Sequence, residues 1–334
     1  MEQLKIGIVG LGSFAAQHIQ CLRQFADVRI QAVCDRLPEV SASIARELGC
    51  AGYTDYREML RHEKLDVLDI VLPEALHYDV AMAGLRAGSH LFVEKPLDTD
   101  AARAAEIARE AARIDRQLMV GHVTRFDPRI MQIKQTIDSG ALGRIRSIYC
   151  RRSDVQRGFA TYRRTHPIFV LGIHDIDQIL WCANEMPVEV YAKSASSGEG
   201  EDLVWATLTF PSGLIAVVES NWLAPDAWPA AQDQLMIVSG EQGVAKVQLP
   251  DHAVSVCTAA HYMQPKLFGL RDMYGRIEGP LMSELQHFID CVRNRQASAI
   301  LPPQAAVAAV QVAEAVVRSC REGRPVRLPF GGGS

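Results

Sequence analysis

The chain changes its hydrophobic rhythm near residue 121. Before that point, short apolar runs at Leu4–Val9, Arg29–Cys34, Val67–Leu72, His90–Val93 and Leu118–Val120 read as strands. Alanine-rich stretches of helical period separate them, clearest at Ala75–Ala87 and Asp98–Arg113. Asp98-Thr99-Asp100 supplies an N-cap and first-turn acids for the second of these helices. Strict alternation of strand and helix predicts βαβ units and a parallel sheet.

After Gly121 the strands follow one another directly. Ile145–Arg152, Val188–Lys193, Leu203–Phe210, Leu214–Asn221, Gln234–Ser239, Gly243–Leu249 and Ala253–Cys257 have strand patterning. Turn signals stand at Pro211-Ser212-Gly213, Gly240-Glu241-Gln242-Gly243 and Pro250-Asp251. Short turns between consecutive strands predict an antiparallel sheet. A helix from about Ile168 to Trp181 lies within this half. Helices at Pro280–Arg293 and Pro303–Arg318 and a short Val326–Leu328 segment follow. The expected fold is α/β, with a doubly wound parallel-sheet domain over residues 1–121. A second α/β domain, with a large, open, mainly antiparallel sheet, is expected over 122–330. Helix 303–318 is a candidate to pack back on the first domain. Gly331-Gly332-Gly333-Ser334 reads as a flexible linker or appended tail.

At 334 residues the chain can build two substantial cores. Its 48% hydrophobic and 22% charged content is that of a globular enzyme. A net charge of −4 gives no electrostatic reason to bind nucleic acid or an anionic membrane. No apolar run approaches the roughly 20 residues of a membrane span. The first residues run straight into a strand, so no signal peptide is expected. Eight cysteines are scattered without a CxxC pair, which argues against a zinc ribbon and for reduced thiols in a cytoplasmic protein.

Chemistry enters at Gly10-Leu11-Gly12-Ser13-Phe14-Ala15, between a strand and a helix. Gly10 permits a tight turn, and Gly12 lets the backbone approach a pyrophosphate at the helix N-terminus. Ala15 takes the place of the third glycine of such a turn. Asp35 closes the second strand about 20 residues on, where a carboxylate binds adenosine ribose hydroxyls. With strand, turn, helix and acid in order, the first domain reads as a dinucleotide-binding Rossmann domain. The Asp35 charge disfavours a 2′-phosphate, so NAD is expected over NADP; neighbouring Arg36 leaves dual use open. Glu94-Lys95-Pro96 ends the His90–Val93 strand, at the edge where open α/β sheets bind ligands. A lysine held beside a nicotinamide and partly desolvated suits acid–base work.

Together these residues resemble the glucose-fructose oxidoreductase / inositol dehydrogenase / MocA family over essentially the whole chain. The marks are the glycine turn, Leu72-Pro73-Glu74 with His77, Glu94-Lys95-Pro96, Gly121-His122-Val123-Thr124-Arg125-Phe126-Asp127-Pro128, and Gly172-Ile173-His174-Asp175-Ile176-Asp177. The resemblance implies oxidation of secondary alcohols of sugars, cyclitols or nucleotide sugars with NAD(P). It maps Lys95 and His174 onto the family's catalytic lysine and histidine. Cofactor contacts are expected from Gly10, Gly12, Ser13, Phe14, Asp35, Arg36, Leu72, Pro73, His77, Glu94, Lys95 and Arg125. Substrate contacts are expected from Lys95, His122, Arg125, Tyr162, Arg163, His166 and His174.

Val170 departs from the pattern. Many relatives place an aspartate there, four residues before the histidine and one helical turn away on the same face. His166, Asp175 and Asp177 are candidates to compensate, with Asp177 expected to face the core boundary or an arginine. His174 and Asp177 at i, i+3 have metal-pair spacing, but no third ligand is identifiable and no metal is expected. The basic stretch from Arg151-Arg152 through Arg157 to His166 reads as loop, either a solvated charge run or an arginine rim for an anionic substrate group. Trp222 walls the pocket or lies at a sheet interface.

The leading expectation is an NAD-dependent dehydrogenase of a small carbohydrate-like alcohol. Redox-neutral elimination by transient oxidation, and a non-catalytic cofactor-sensing regulator, are the alternatives. The strands Leu203–Phe210 and Leu214–Val218 are apolar on both faces, which predicts a homodimer or homotetramer through this sheet.

Overall fold

The computed structural model describes residues 3–228, 232–249, 254, 256–258, 260, 262–263 and 269–328. The turn expected at Pro250-Asp251, part of the strand expected at Ala253–Cys257 and the tail 331–334 lie outside the described residues.

The N-terminal half alternates as its patterning predicts. β1 (Leu4–Val9), α1 (Ser13–Leu22), β2 (Val28–Cys34), α2 (Pro38–Leu48), β3 (Ala51–Tyr53), α3 (Tyr56–His62), β4 (Val67–Ile70), α4 (His77–Arg86), β5 (His90–Glu94), α5 (Ala101–Arg113) and β6 (Leu118–Gly121) follow in order. The six strands form one parallel sheet in the order β3-β2-β1-β4-β5-β6. β4 and β6 are buried along their whole length, which is why they read as unbroken apolar runs. Asp100 caps α5 by accepting the Ala102 and Arg103 N–H groups, but the first turn itself holds no acid. Asp98 instead sits buried before the cap and accepts the Asp100 N–H.

The second half contains α6 (Pro128–Asp138), β7 (Ile145–Val155), α7 (Gln156–Tyr162), a π-helical turn at Ile168–Gly172, and α8 (Ile173–Ala183). β8 (Glu189–Ser196), β9 (Glu201–Thr209), β10 (Ile215–Ala224), β11 (Gln232–Gly240), β12 (Val244–Leu249), β13 (Val256–Cys257) and β14 (Tyr262–Met263) come next. The basic segment expected to be loop is therefore the end of β7 and the helix α7, with turn and irregular chain over 163–166. Ile148, Cys150 and Arg152 alternate inward along β7, so the strand expected at Ile145–Arg152 runs on to Val155 with an arginine at its third inward position.

β15 (Arg271–Met273), β16 (Arg276–Glu278), α9 (Pro280–Asn294), α10 (Pro303–Glu322) and β17 (Val326–Arg327) complete the chain. A seven-stranded sheet runs β12-β11-β7-β10-β9-β8-β17, with β10 parallel to β7 and its other pairings antiparallel. α8 packs its Ile173, Ile176 and Ile179 side against the face of this sheet lined by Ile148, Cys150, Ala216 and Val218.

The two compact units do not divide at residue 121. One comprises Met1–Phe126 with Gly269–Val307; the other comprises Asp127–Phe268 with Ala308–Ser334. Packing explains the return of 269–307. Phe288, Ile289 and Val292 of α9 join the cluster of Ile6, Val67, Phe92 and Met119, and Phe288 meets Phe92 edge to face at 5.4 Å. Of α10, Pro303–Val307 belong to the first unit and the remainder to the second. There Ser319 Oγ accepts the Ala192 N–H of β8.

Candidate active site

Strand register sets the first unit's edge. Val9 is paired with Cys34 and Ile70, Ile70 with Val93, and Val93 with Val120. The next residue of each strand therefore lies at one carboxyl edge: Gly10, Asp35, Val71, Glu94 and Gly121. Gly10 has φ +91°, and a Cβ there would stand 2.1 Å from the Val71 carbonyl oxygen, so only glycine fits the turn. A Cβ on Gly12 would meet nothing within 4 Å. α1 starts immediately after, with no side-chain cap and no acid in its first turn, leaving its first N–H groups for an anion. Asp35 is fixed beside this turn. Its Oδ2 accepts the Leu11 N–H and its Oδ1 the Leu37 N–H, each at 3.0 Å.

The strand ends of β4 and β5 are tied together by His77. This buried ring places Nε2 2.8 Å from the Leu72 carbonyl and Nδ1 2.8 Å from the Pro96 carbonyl. Pro73 precedes a 3-10 turn, Glu74–Leu76, that leads into α4. Lys95 is half-buried, follows β5 directly and is joined to Pro96 by a cis peptide. His122 is buried just past β6, and Arg125 is buried in the following turn with Nη1 donating to the Ile300 carbonyl at 2.7 Å.

Beneath this edge lies a charge cluster that the sequence reading missed. His18, fully buried on α1, has Nδ1 3.0 Å from Asp69 Oδ2 on β4 and Nε2 3.2 Å from Glu94 Oε1 on β5. Burial alone would lower the proton affinity of this imidazole, but the two carboxylates outweigh it and raise its pKa to about 10. The ring contributes fully to stability below its unfolded value of about 6.5, and that contribution is lost as pH rises through about 10. Thermal midpoints measured from about pH 7 to pH 10 should fall in the native protein, by the equivalent of a few kcal/mol, and fall less in His18→Gln. Parallel curves would contradict the assignment.

In the second unit, His174 occupies the first turn of α8 and is half-buried. Val170 lies in the π turn before it, also half-buried. That wider turn loosens the one-turn relation expected between positions 170 and 174. Asp175 does not substitute for a carboxylate at 170. It is buried and held by two bonds from Arg152, 3.1 Å from Nε and 2.9 Å from Nη2. Asp177 is fully buried. His166 accepts the Ile168 N–H at Nδ1 and places Nε2 3.1 Å from Glu201; burial pushes its pKa down. Tyr162 stacks on buried Trp222, ring centroids 5.6 Å apart, while Arg163 pairs with Glu199. Arg151 pairs with Asp233, and the Arg157 backbone N–H donates to Asp226. Much of the expected arginine rim is thus engaged within the protein.

The chain matches the family described as "Oxidoreductase family, NAD-binding Rossmann fold" over residues 4–122 and the "GFO/IDH/MocA C-terminal domain" over residues 130–246. It belongs to the GFO/IDH/MocA oxidoreductase family. Among curated relatives, inositol 2-dehydrogenase of Rhizobium meliloti (strain 1021) is 28% identical over 97% of this chain and 99% of its own. The crystal structure of myo-inositol 2-dehydrogenase from Lactobacillus plantarum has a TM-score of 0.86 at 22% identity, covering 98% of this chain and 100% of that one. A scyllo-inositol dehydrogenase from Lactobacillus casei, solved with NAD(H) and scyllo-inositol, has a TM-score of 0.84 at 21% identity, covering 98% and 99%. At these identities the two structures establish the fold.

This GFO/IDH/MocA protein is an NAD-dependent oxidoreductase. Its first unit fits the cofactor on its own geometry. The Gly10 turn, open space at Gly12, the uncapped α1 N-terminus and the anchored Asp35 carboxylate lie together along one edge, an arrangement with room and donors for a dinucleotide. Among the described residues no group of three or more His, Cys, Asp or Glu could hold a metal ion, and no helix is long and apolar enough to cross a membrane.

Proposed function

We propose that the protein oxidises a secondary alcohol of a cyclitol, most closely an inositol, with NAD. The observation that carries this is Lys95 at the carboxyl end of β5, on the edge that also holds Gly10 and Asp35. The inositol 2-dehydrogenase of Rhizobium meliloti, matching nearly end to end, supports the substrate class. Bound nicotinamide supplies the two-electron acceptor that protein side chains lack. Gly10, Gly12, Ser13 and Phe14 hold the pyrophosphate, and Asp35 with Arg36 the adenosine ribose. Leu72, Pro73, His77 and Glu94 shape the nicotinamide end. Lys95 or His174 takes the hydroxyl proton, and the other orients or relays it. His122, Arg125, Tyr162, Arg163 and His166 are the further substrate-contact candidates. Absorbance of NADH with a panel of inositols, aldoses and UDP-sugars tests the reading. Turnover with an inositol is expected; NADH from none of them would overturn it.

Cofactor choice rests on Asp35. Replacing it as Asp35→Ser removes the charge that repels a 2′-phosphate and leaves exposed Arg36 beside it. The NAD:NADP affinity ratio should move toward NADP by roughly tenfold to a hundredfold, equivalent to about 1–3 kcal/mol. Dissociation constants for both cofactors decide this, and an unmoved ratio would show that Asp35 does not set the preference.

The open face of the large sheet is proposed as a self-association surface. Trp205 is 45% and Ile215 50% exposed on β9 and β10, with half-buried Leu203 and Val217 beside them. Thr207, Thr209 and Glu219 share that face, so it is less uniformly apolar than the sequence suggested. Light scattering at micromolar protein should give a dimer or tetramer mass, and Trp205→Glu should lower it. A monomeric native mass contradicts this surface.

A further inference from the structure

We propose that His18 is a positioning residue for Lys95, joining the helix that begins at the pyrophosphate turn to the strand end that carries the lysine. This rests on the reading of Lys95 as a proton carrier. The geometry runs through Glu94. One of its oxygens, Oε1, lies 3.2 Å from His18 Nε2; the other, Oε2, accepts the Lys95 backbone N–H at 3.3 Å. The carboxylate thus grips the backbone from which the Lys95 side chain extends.

Three features hold the carboxylate in place. His18 is locked from its other side by Asp69, 3.0 Å away, on the strand that pairs with β5. Phe14 and Phe92 meet the His18 ring edge on, at 5.2 and 5.6 Å. Gly121 of β6 lies against the carboxylate, since a Cβ there would stand 2.6 Å from Glu94 Oε1. Nδ1 hydrogen-bonds Asp69 and Nε2 makes an ion-pair contact with Glu94, and a ring protonated on both nitrogens carries the charge that both carboxylates oppose. A buried cation with partners on two strands is a costly device for stability alone, because apolar packing serves as well. Its specific product here is a fixed distance between the α1 N-terminus and the Lys95 backbone.

The charged or titratable groups facing the His18 ring are Asp69 on β4 and Glu94 on β5; Cys21 of α1, close to Asp69, has its thiol pushed up to about 12 by burial and by that carboxylate. Loss of the imidazolium therefore leaves Lys95 in a more negative surrounding. Its proton should be held more tightly, and the limb of the kcat–pH profile that reports it should move to higher pH.

The test compares His18→Gln with His18→Gln/Asp69→Asn. In the single variant, kcat should fall about tenfold to a hundredfold, the loss that a misplacement near 1 Å produces, and the pH limb should rise. The double variant removes one carboxylate together with the cation. Thermal midpoint and pH limb should then return toward native while kcat stays low, because Glu94 is still not gripped. Recovery of kcat in step with the thermal midpoint would show His18 to be only a structural anchor and would overturn the proposal. So would a native kcat and pH limb in the single variant.

A readout without turnover is nitrogen-resolved NMR of the His18 ring in the protein alone. Both ring nitrogens should carry protons at about pH 8, above the ordinary histidine range, and a neutral ring there would also overturn it. Lys95→Met measured alongside separates the two ideas. Full activity of that variant would remove the proton-carrier reading itself, whereas an inactive Lys95→Met beside an unaffected His18→Gln would remove only the positioning role.

Discussion

Replacing Lys95 by methionine is expected to lower kcat by about 10²–10⁴-fold while the dissociation constant for NAD changes only a few-fold. Methionine keeps most of the length and apolar stem of lysine and removes the ammonium. The backbone features of this position remain: the N–H donated to Glu94 and the His77 ring that holds the Pro96 carbonyl. The cofactor-binding turn at Gly10 to Phe14 is contributed by β1 and α1 and does not depend on the ammonium. A selective loss of kcat is what removal of a proton-carrying group produces; a large loss of NAD affinity with kcat preserved would instead make Lys95 a cofactor anchor. Steady-state kinetics together with equilibrium titration of NAD separate these outcomes.

Replacing Arg152 by alanine is expected to destabilise the second unit by about 3–5 kcal/mol. The Arg152 and Asp175 side chains are only 5% and 4% exposed and share two hydrogen bonds. Removal of the guanidinium leaves an unpaired buried carboxylate, one whose pKa burial already pushes upward with only Arg152 opposing it. Asp175 neighbours His174 on the first turn of α8, so the damage falls beside a proposed proton carrier. A drop in thermal midpoint on the order of 10 °C should be seen by calorimetry. The pair variant Arg152→Met/Asp175→Leu should recover much of that loss, since it removes both charges and keeps the volume. An Arg152→Ala midpoint equal to that of the native protein would show that the pair is not what holds α8 on β7.

The cofactor edge was legible because each of its parts has a local signature. A glycine turn between an apolar run and a helix, an acid closing the next strand, and a lysine-proline pair closing another are all written in short segments. β3 was not legible. It is three residues long, pairs only with β2 and lacks enough residues to show a period. The return of Gly269–Val307 to the first unit was hidden for a different reason. The amphipathic pattern of α9 shows that one face is buried but cannot name the core that receives it.

The charge pairs left weaker traces that only tertiary structure could combine. Asp69 interrupts an otherwise apolar, fully buried strand, and Glu94 ends another; each is a buried acid that requires a partner. His18 follows Phe14 by one turn on α1, and nothing local connects it to those acids. Arg152 is legible as a strand residue and as a charge, but its inward direction is set by Asp175 of α8, which no local pattern connects to it.

The proposed reaction carries a hydride from a ring carbinol to NAD. It is tested most directly by incubating the protein with NAD and an inositol deuterated at its ring carbons, then measuring the mass of the nicotinamide pool. Reduced cofactor should accumulate one mass unit heavier, in step with a keto-inositol product. Tight NAD binding with no deuterium reaching the cofactor, from inositols or from any other deuterated polyol supplied, would contradict it.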